Sequence, residues 1–297
     1  MSLPDGVSLI LAPNPSPMTL SGTNTYLVRG SAGCVVIDPG PEIEIHLLLV
    51  ADEAKRLGGA LAILITHGHP DHVEGAARLR ELTGAPVLAW SRDGSPVADL
   101  TLPDGPSISL GDRAVRAIYT PGHRYDHLCF LLEDAERDTG AIFAGDLIAG
   151  AGTVVIAPPE GDLNDYLASL HRLLALEPRL LLPGHGPARE DARALLEGYI
   201  AHREDRERQL LSALSVEPVA VPVLVKRIYT DVPASMHPVA AYSTLAGLIK
   251  LEREERVIRL VAEDGDEDPF PISAHSPLAL EGVVGRPDGL LARWRLV

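Results

Sequence analysis

Short apolar segments recur along the first two thirds of the chain, and five of them end in an acid or a histidine beside a glycine. These segments are residues 34–40, 61–69, 115–123, 141–146 and 180–186. Short apolar runs bounded by glycine or proline predict buried strands. Because α/β proteins build their sites from polar side chains at strand ends and sharp turns, the ends of these five segments form the candidate site.

Helical spacing of apolar positions fills several intervals between the strands. It predicts helices over residues 41–57, 73–82 and 164–176. Alternation of strands and helices is typical of an α/β or mixed layered fold.

The pattern changes after residue 186. A long charged helix is predicted over 189–211, followed by helices over 223–229 and 238–251 and a strand over 256–261. Two helices and a strand in so short a stretch favour a small winged-helix-like domain. We therefore divide the chain into a catalytic domain at 1–205, a winged-helix-like domain at 206–265, and an acidic linker and tail at 266–297.

The composition is that of a globular chain with an acidic balance. Of its 297 residues, 46% are hydrophobic and 23% are charged, and no apolar run is long enough for a membrane helix. The formal net charge of −15 argues against non-specific attraction to phosphate. No leader is expected, since Arg29 is the first basic residue. Cys34 and Cys129 lie in apolar segments, which is typical of buried thiols in the reducing cytoplasm.

The densest chemistry lies in the segment His67-Gly-His-Pro-Asp-His72. Three imidazoles and one carboxylate within six residues predict a metal site, because crowding them is costly unless a cation organises them. Histidines two positions apart on a tight turn can bind one ion, and Pro70 redirects the chain so that Asp71 and His72 can bind a second. A histidine-rich surface turn is the alternative for this segment alone.

Three residues at later strand ends supply the ligands that this segment lacks: His123, Asp146 and His185. Each histidine beside a glycine, taken singly, is compatible with an ordinary turn. Five histidines and two aspartates together suit two borderline cations with a bridging carboxylate. The sequence therefore predicts two zinc ions per chain, with other divalent metals as the alternative.

This order of ligands resembles that of the metallo-β-lactamase superfamily. The resemblance covers about residues 7–205 and implies an αββα sandwich with a dinuclear site at one edge. The ligands that it implies are His67, His69 and His123 for one metal, Asp71, His72 and His185 for the other, and Asp146 as the bridge. The expected reaction is hydrolysis by a metal-bridging hydroxide, with Asp71 and Asp146 as the catalytic residues. Neither a Gly-x-Ser-x-Gly elbow nor a Walker A loop occurs in the sequence.

Shorter segments resemble the β-lactamase-like protein 2 group of that superfamily, namely residues 11–26, 121–127, 150–153 and 201–209. The group carries a winged-helix-like C-terminal domain, in agreement with the one predicted above. Its animal members resemble single-stranded-RNA endoribonucleases. The resemblance thus implies an RNA phosphodiester as the first substrate class.

Four further residues are candidates for substrate contacts: His127, His202, Arg203 and Arg206. His127 either lines the pocket or supports a ligand from behind. The arginines would bind phosphate oxygens, unless their helix face is a solvated, salt-bridged one. Asp38 either supports the histidine segment from a neighbouring strand end or closes a turn.

Three functions remain open on the sequence alone. The first is a dinuclear zinc hydrolase acting on single-stranded RNA. The second is an ester, thioester or lactone hydrolase of the glyoxalase II or lactonase type, which the same seven ligands would serve. The third is a winged-helix regulator with a retained metal site, which should carry a basic face. The expected partner is a small molecule or single-stranded RNA, with no membrane involved, and the oligomeric state stays open.

Overall fold

The structure is a computed structural model that describes residues 3–134, 140–260 and 289–297. The chain divides into two compact units. The first comprises Met1–Pro121, Asp126–Val154 and Ser169–Leu196, and the second comprises Gly122–Tyr125, Val155–Ala168 and Glu197–Val297. Two short segments from the middle of the sequence thus belong to the second unit, and the domain boundary at residue 205 stays a prediction.

One sheet of the first unit has six strands that are neighbours in sequence order. They are β1 (Val7–Leu11), β2 (Asn24–Gly30), β3 (Gly33–Ile37), β4 (Ala60–Leu64), β5 (Val87–Ala89) and β6 (Leu100–Thr101). The first three strands pair antiparallel. From β3 to β6 the pairing is parallel, so the carboxyl ends of β3, β4 and β5 lie at the same edge.

The other sheet of this unit has five strands in the order β11-β10-β9-β8-β7. They are β7 (Ser107–Ser109), β8 (Arg113–Tyr119), β9 (Leu128–Asp134), β10 (Ala141–Gly145) and β11 (Leu180–Pro183). The strands β10 and β11 pair parallel, whereas the other neighbours pair antiparallel. The carboxyl ends of β10 and β11 therefore lie together.

Alternating side chains build the layers of the first unit. Val28 of β2 and Phe130 of β9 belong to one buried cluster between the sheets. Leu27, next to Val28, belongs to a second cluster with Leu47 and Leu79 on the helices that cover the first sheet. The period of two along a strand explains why neighbours point to opposite layers.

The helices of the first unit cover the outer faces of the sheets. They are α1 (Glu44–Arg56), the short α2 (Pro70–Val73), α3 (Ala76–Thr83) and the second half of α4 (Leu163–Ala175). On the second sheet, Ser169 Oγ of α4 donates to the carbonyl of Pro121 at 2.7 Å and Arg172 Nη1 to that of Tyr119 at 2.8 Å. The α/β fold predicted from the sequence, with helix, sheet, sheet and helix in layers, is confirmed.

The second unit has the helices and small sheet of a winged-helix domain. Its elements are the later part of α5 (Ala192–Ala213), β12 (Val219–Ala220), α6 (Val221–Ile228), a 3-10 helix (Ala234–Met236), α7 (His237–Arg253), β13 (Val257–Leu260) and β14 (Arg293–Leu296). The predicted helices and strand are confirmed, with boundaries shifted by a few residues.

Part of the predicted tail belongs to this small sheet. Strand β14 pairs antiparallel with both β12 and β13, and Trp294 at its centre is fully buried. The tail had no interpretable periodicity because a four-residue strand is too short to show one. Residues 266–288 of the predicted linker and tail lie outside the described residues.

Two simpler expectations can be compared with the structure. Within the described residues, no helix combines the length and the apolar content that crossing a membrane requires. Both cysteines are free and buried. Burial raises the pKa of Cys34 to about 11 and that of Cys129 to about 12, so both thiols stay protonated and unreactive at neutral pH.

The burial of Trp294 yields a prediction about the second unit. Replacing Trp294 by Ala should lower the free energy of unfolding by about 3–5 kcal/mol, because a large side chain leaves a cavity between β14 and its neighbours. Chemical denaturation followed by circular dichroism measures the change. Val216→Ala, at a position that is 68% exposed, is the control. A loss below about 1 kcal/mol for Trp294→Ala would contradict the described packing.

Candidate metal centre

Six of the seven predicted ligands lie in the first unit and follow the carboxyl ends of strands. His67 and His69 come after β4, Asp71 and His72 lie on α2, Asp146 comes directly after β10, and His185 follows β11. Helix α2 starts on Pro70 at its first position, which fits the fixed backbone angle of proline. Parallel strand pairing brings these ends to one place.

The side chains converge within a few ångströms. His185 Nε2 lies 3.2 Å from both Asp71 Oδ2 and Asp146 Oδ2. His72 Nε2 lies 3.4 Å and 3.5 Å from the same two oxygens. Ligand atoms within 4.8 Å of one another form two groups that share His72: His67, His72 and Asp146, and Asp71, His72 and His185.

The outer hydrogen bonds of the histidines determine which ring nitrogen carries a proton. His72 Nδ1 lies 2.8 Å from Asp38 Oδ2, and a carboxylate can only accept, so the proton is on Nδ1. Thr66 Oγ1 donates its single proton to Asp38 Oδ2 at 2.7 Å. It must therefore accept from His67 Nδ1 at 3.0 Å.

The same reasoning applies to His185, whose Nδ1 faces the carbonyl of Gly22 at 3.3 Å. Each of the three rings thus donates through Nδ1 and turns its Nε2 towards the two carboxylates. The Nε2 atoms of His72 and His185 are only 3.3 Å apart. A cation bound here would take the place of protons on Nε2, and imidazole nitrogen with carboxylate oxygen is a donor set that zinc accepts.

The pKa shifts indicate that the carboxylates of Asp71 and Asp146 are stabilised by positive charge beside them. Burial alone would raise the pKa of Asp71, but the facing His72 and His185 outweigh it and lower the pKa to about 2. They also hold the pKa of Asp146 well below its usual value against burial. Burial lowers the pKa of His185, yet Asp146 and Asp71 raise it to about 10. Both carboxylates are therefore ionised at neutral pH and available as ligands.

His123 belongs to the segment Gly122–Tyr125 of the second unit. It is buried, and its Nδ1 lies 2.8 Å from the carbonyl of Val155 in the same unit. The carbonyl can only accept, so His123 donates to it through Nδ1 and would bind a cation through Nε2. Its assignment to the same ion as His67 and His69 stays a prediction from the order of the motifs.

His127 is fully buried. Its Nε2 accepts the backbone N–H of Asp146 at 3.1 Å, and its Nδ1 lies 3.0 Å from Thr120 Oγ1. Both ring nitrogens are thus engaged inside the protein, which favours the interpretation that His127 supports a ligand from behind. A substrate contact for His127 stays a prediction.

The other three candidate substrate contacts lie on α5 in the second unit. His202 is half-buried, and the Arg203 guanidinium lies 5.2 Å from the ring centre of Tyr166. Arg206 Nη1 donates to the carbonyl of Ile228 at 3.2 Å. Substrate binding by these side chains stays a prediction.

Three supporting residues were not singled out from the sequence. Thr66 connects His67 to Asp38, and Thr23 Oγ1 donates to Asp71 Oδ2 at 3.0 Å. Asp126 accepts the backbone N–H of Gly68 at 3.1 Å. A hydroxyl or carboxylate next to a ligand motif is the only signal that could have identified them.

Two backbone features hold the ligand loops in place. A Cβ at Gly68 would lie 1.9 Å from the carbonyl oxygen of Gly94, so only glycine fits between the ligands His67 and His69. Asp38 adopts a φ of 53°, a left-handed conformation that aspartate tolerates better than most residues. This conformation accompanies its hydrogen bonds to Thr66 and His72.

A two-sheet sandwich with clustered histidines and aspartates at its strand ends defines a metal-binding α/β hydrolase. A family model described as the metallo-beta-lactamase superfamily matches residues 18–185. A second one, the beta-lactamase associated winged helix domain, matches residues 221–266. The chain belongs to the metallo-beta-lactamase superfamily and is a metal-dependent hydrolase with an associated winged-helix domain.

Individual relatives agree with this assignment. The chain is 33% identical over 301 residues to the beta-lactamase-like protein 2 homolog of Drosophila melanogaster, covering 93% of this chain and 97% of the relative. It is 36% identical over 211 residues to the atrochrysone carboxyl ACP thioesterase of Aspergillus fumigatus, covering 69% and 64%. A beta-lactamase domain protein from Burkholderia ambifaria shares the fold, with a TM-score of 0.74 and 22% identity over 100% of this chain and 93% of that one.

The hydrogen bonds of Asp38 lead to a prediction about metal affinity. Asp38→Asn should weaken metal binding by about 10- to 100-fold, because one of its two oxygens becomes an amide donor that cannot serve its present partners. Competition with a fluorescent chelator measures the affinity. Asp93→Asn, at an exposed position, is the matched control. Equal affinities for the two folded variants would contradict the role of Asp38.

Proposed function

We propose that this chain is a dinuclear zinc hydrolase that cleaves single-stranded RNA. The observation that carries the hydrolase is the convergence of three imidazole Nε2 atoms on two ionised carboxylates. The donor set fits two cations because the six candidate ligands of the first unit exceed the four that one zinc ion usually takes. On this proposal, His67, His69 and His123 hold one ion, Asp71, His72 and His185 hold the other, and Asp146 lies between them.

The protein's own residues have separable tasks in hydrolysis. A bound pair of divalent cations lowers the pKa of water to near neutrality and polarises the bond to be cleaved. Asp71 Oδ2 accepts a hydrogen bond from Thr23 Oγ1, which fixes one face of the carboxylate. With 15% of its side chain exposed, Asp71 is the group in position to orient the attacking water and to accept its proton.

Asp146 is held both through its backbone and through its carboxylate. Its backbone N–H is held by His127, and its carboxylate faces His72 and His185. A carboxylate fixed in this way offsets the repulsion between two dications and maintains their spacing. Its task is therefore positional, whereas Asp71 moves a proton.

The RNA substrate is supported by the extent of the likeness to the beta-lactamase-like protein 2 homologs. The alignment with the Drosophila relative spans 93% of the chain and so includes most of the winged-helix unit. The sequence resemblance to that group implies an endoribonuclease-like activity. The net charge of −15 weighs against avid binding of a polyanion, so contacts have to be local.

One comparison favours a second candidate, the hydrolysis of an acyl thioester. The Aspergillus relative is named a thioesterase, and the same ligands would polarise a thioester carbonyl. Only 64% of that protein is covered, which makes the likeness less complete than that to the Drosophila relative. The cellular location that we propose is the cytoplasm, supported by the two free buried thiols.

The proposed position of Asp146 predicts a loss of metal and of activity together. Asp146→Ala should reduce the bound metal from about two equivalents to about one or less, and turnover by about a hundredfold or more. Elemental analysis and a hydrolysis assay measure the two effects. The control is His171→Ala, on the exposed surface of α4, which should leave both unchanged. A folded Asp146→Ala variant with full metal content and activity would refute the proposal.

The substrate class has its own test. After the rate of the Asp146→Ala variant is subtracted for each substrate, the zinc-loaded chain should cleave single-stranded RNA at least about tenfold faster than an acyl thioester or a lactone. A tenfold ratio corresponds to about 1.4 kcal/mol of selective stabilisation of the transition state. Preferential cleavage of the thioester would support the second candidate and overturn RNA. Nucleic-acid binding without hydrolysis of any of the three would contradict the enzyme proposal.

A further inference from the structure

A small pocket lies within the second unit, between the later part of α5, α7 and the end of α6. Its lining includes Arg203, Arg206 and Leu210 from α5, Tyr229 after α6, and Ser243 and Gly247 from α7. A Cβ at Gly247 would lie 3.2 Å from Leu210 Cδ2, so the two helices are in close contact beside the pocket. The lining is therefore held by packed helices.

The Arg206 side chain is held by neutral groups. Its Nη1 donates to Gln209 Oε1 at 2.8 Å and to the carbonyl of Ile228 at 3.2 Å. Its guanidinium carbon lies 4.3 Å from the ring centre of Tyr229. These contacts fix the planar group without neutralising its charge.

The two carboxylates next to Arg206 on the helix are paired with other cations. Asp205 Oδ1 lies 2.9 Å from Arg208 Nη2. Glu207 Oε2 lies 2.6 Å from Lys250 Nζ, and Glu207 Oε1 lies 2.8 Å from Arg256 Nη1. Among the residues that the structure describes, no carboxylate forms an ion pair with Arg206, and its buried Nε has no hydrogen-bond partner there. Arg206 is thus a half-buried cation without an ion-pair partner of its own among the described residues, and Glu207, which also lines the pocket, pairs with Lys250 and Arg256 instead.

A second guanidinium strengthens the positive potential of the pocket. Arg203 is only 6% exposed and lies three residues before Arg206 on the same helix. The adjacent His202 has a lowered pKa, first because of burial and then because the charges of Arg203 and Arg206 outweigh those of Asp205 and Asp231. A partly desolvated cation gains more from an anion than an exposed one does.

We infer that this pocket binds a single oxyanionic group, a phosphate or a carboxylate, through Arg206. The planar N–H donors of the guanidinium match both kinds of oxyanion. The hydroxyl-bearing Ser243 and Tyr229 in the lining suit the remaining oxygens. The pocket belongs to the second unit alone, so this inference does not depend on the hydrolase proposal.

The test is anion binding by the full-length, metal-loaded chain at constant ionic strength. Titration calorimetry with inorganic phosphate, and separately with acetate, should show binding that Arg206→Gln weakens by about tenfold or more, as expected for loss of a charge-assisted contact. The matched control is Arg227→Gln on α6, at an exposed position. Any anion binding at the metal centre is common to all variants and cancels in the comparison.

The outcomes distinguish the two sources of the oxyanion. Arg206-dependent binding that is tighter for phosphate identifies a phosphate group, and the reverse order identifies a carboxylate. Arg206→Lys should retain part of the affinity, because it keeps the charge and loses the planar donors. If the wild-type chain, Arg206→Gln and Arg227→Gln bound phosphate with the same affinity and acetate with the same affinity, the inference would be overturned, provided that thermal unfolding shows all three folded.

Discussion

The position of one proton on each of three imidazole rings is the constraint on which the site depends. Asp38 accepts from His72 Nδ1 and from Thr66 Oγ1, and Thr66 in turn accepts from His67. One carboxylate therefore sets the tautomer of two ligands. The inward Nε2 atoms face the ionised carboxylates of Asp71 and Asp146. Because buried carboxylates without positive charge beside them are costly, the fold tolerates this arrangement only with protons on these nitrogens or with a bound cation in their place.

The two sheets position the residues that hold these protons, because strand pairing determines which strand ends are neighbours. Asp38 follows β3 and Thr66 follows β4, and these two strands pair parallel. Their carboxyl ends are therefore neighbours, and Thr66 N–H and Oγ1 reach the two oxygens of Asp38 at 2.8 and 2.7 Å. In the second sheet, the parallel pair β10 and β11 brings Asp146 and His185 together in the same way. The metal site is a consequence of parallel pairing at these two places.

The candidate ligands could be named from the sequence because their signal is local. His67, His69, Asp71 and His72 lie within six residues, and each later ligand follows an apolar run. Asp38 was identified as a candidate support for the same reason. Thr23, Thr66 and Asp126 were missed since threonine and aspartate near turns are common, and only their distance in space from Asp71, His67 and Gly68 gives them meaning.

Elements of the fold with a local pattern could be predicted from the sequence, whereas elements defined by distant contacts could not. Periodicity identified α5, α6 and α7, whose apolar faces repeat over several turns. It could not assign β14 to the small sheet, because its partners β12 and β13 lie far away in the sequence. The segments Gly122–Tyr125 and Val155–Ala168 belong to the second unit through contacts that no local pattern encodes.

The net charge of the whole chain does not determine whether one local site binds an anion. The formal charge of −15 predicts weak attraction for anions when all charges act together through solvent. At short range, however, interactions within partly buried regions are screened much less than those between exposed charges. Asp205 and Glu207 already pair with Arg208, Lys250 and Arg256, so they cannot also neutralise Arg206. Whether a protein binds an anion therefore depends on which cations its own carboxylates leave unpaired, and an acidic chain can contain such a cation.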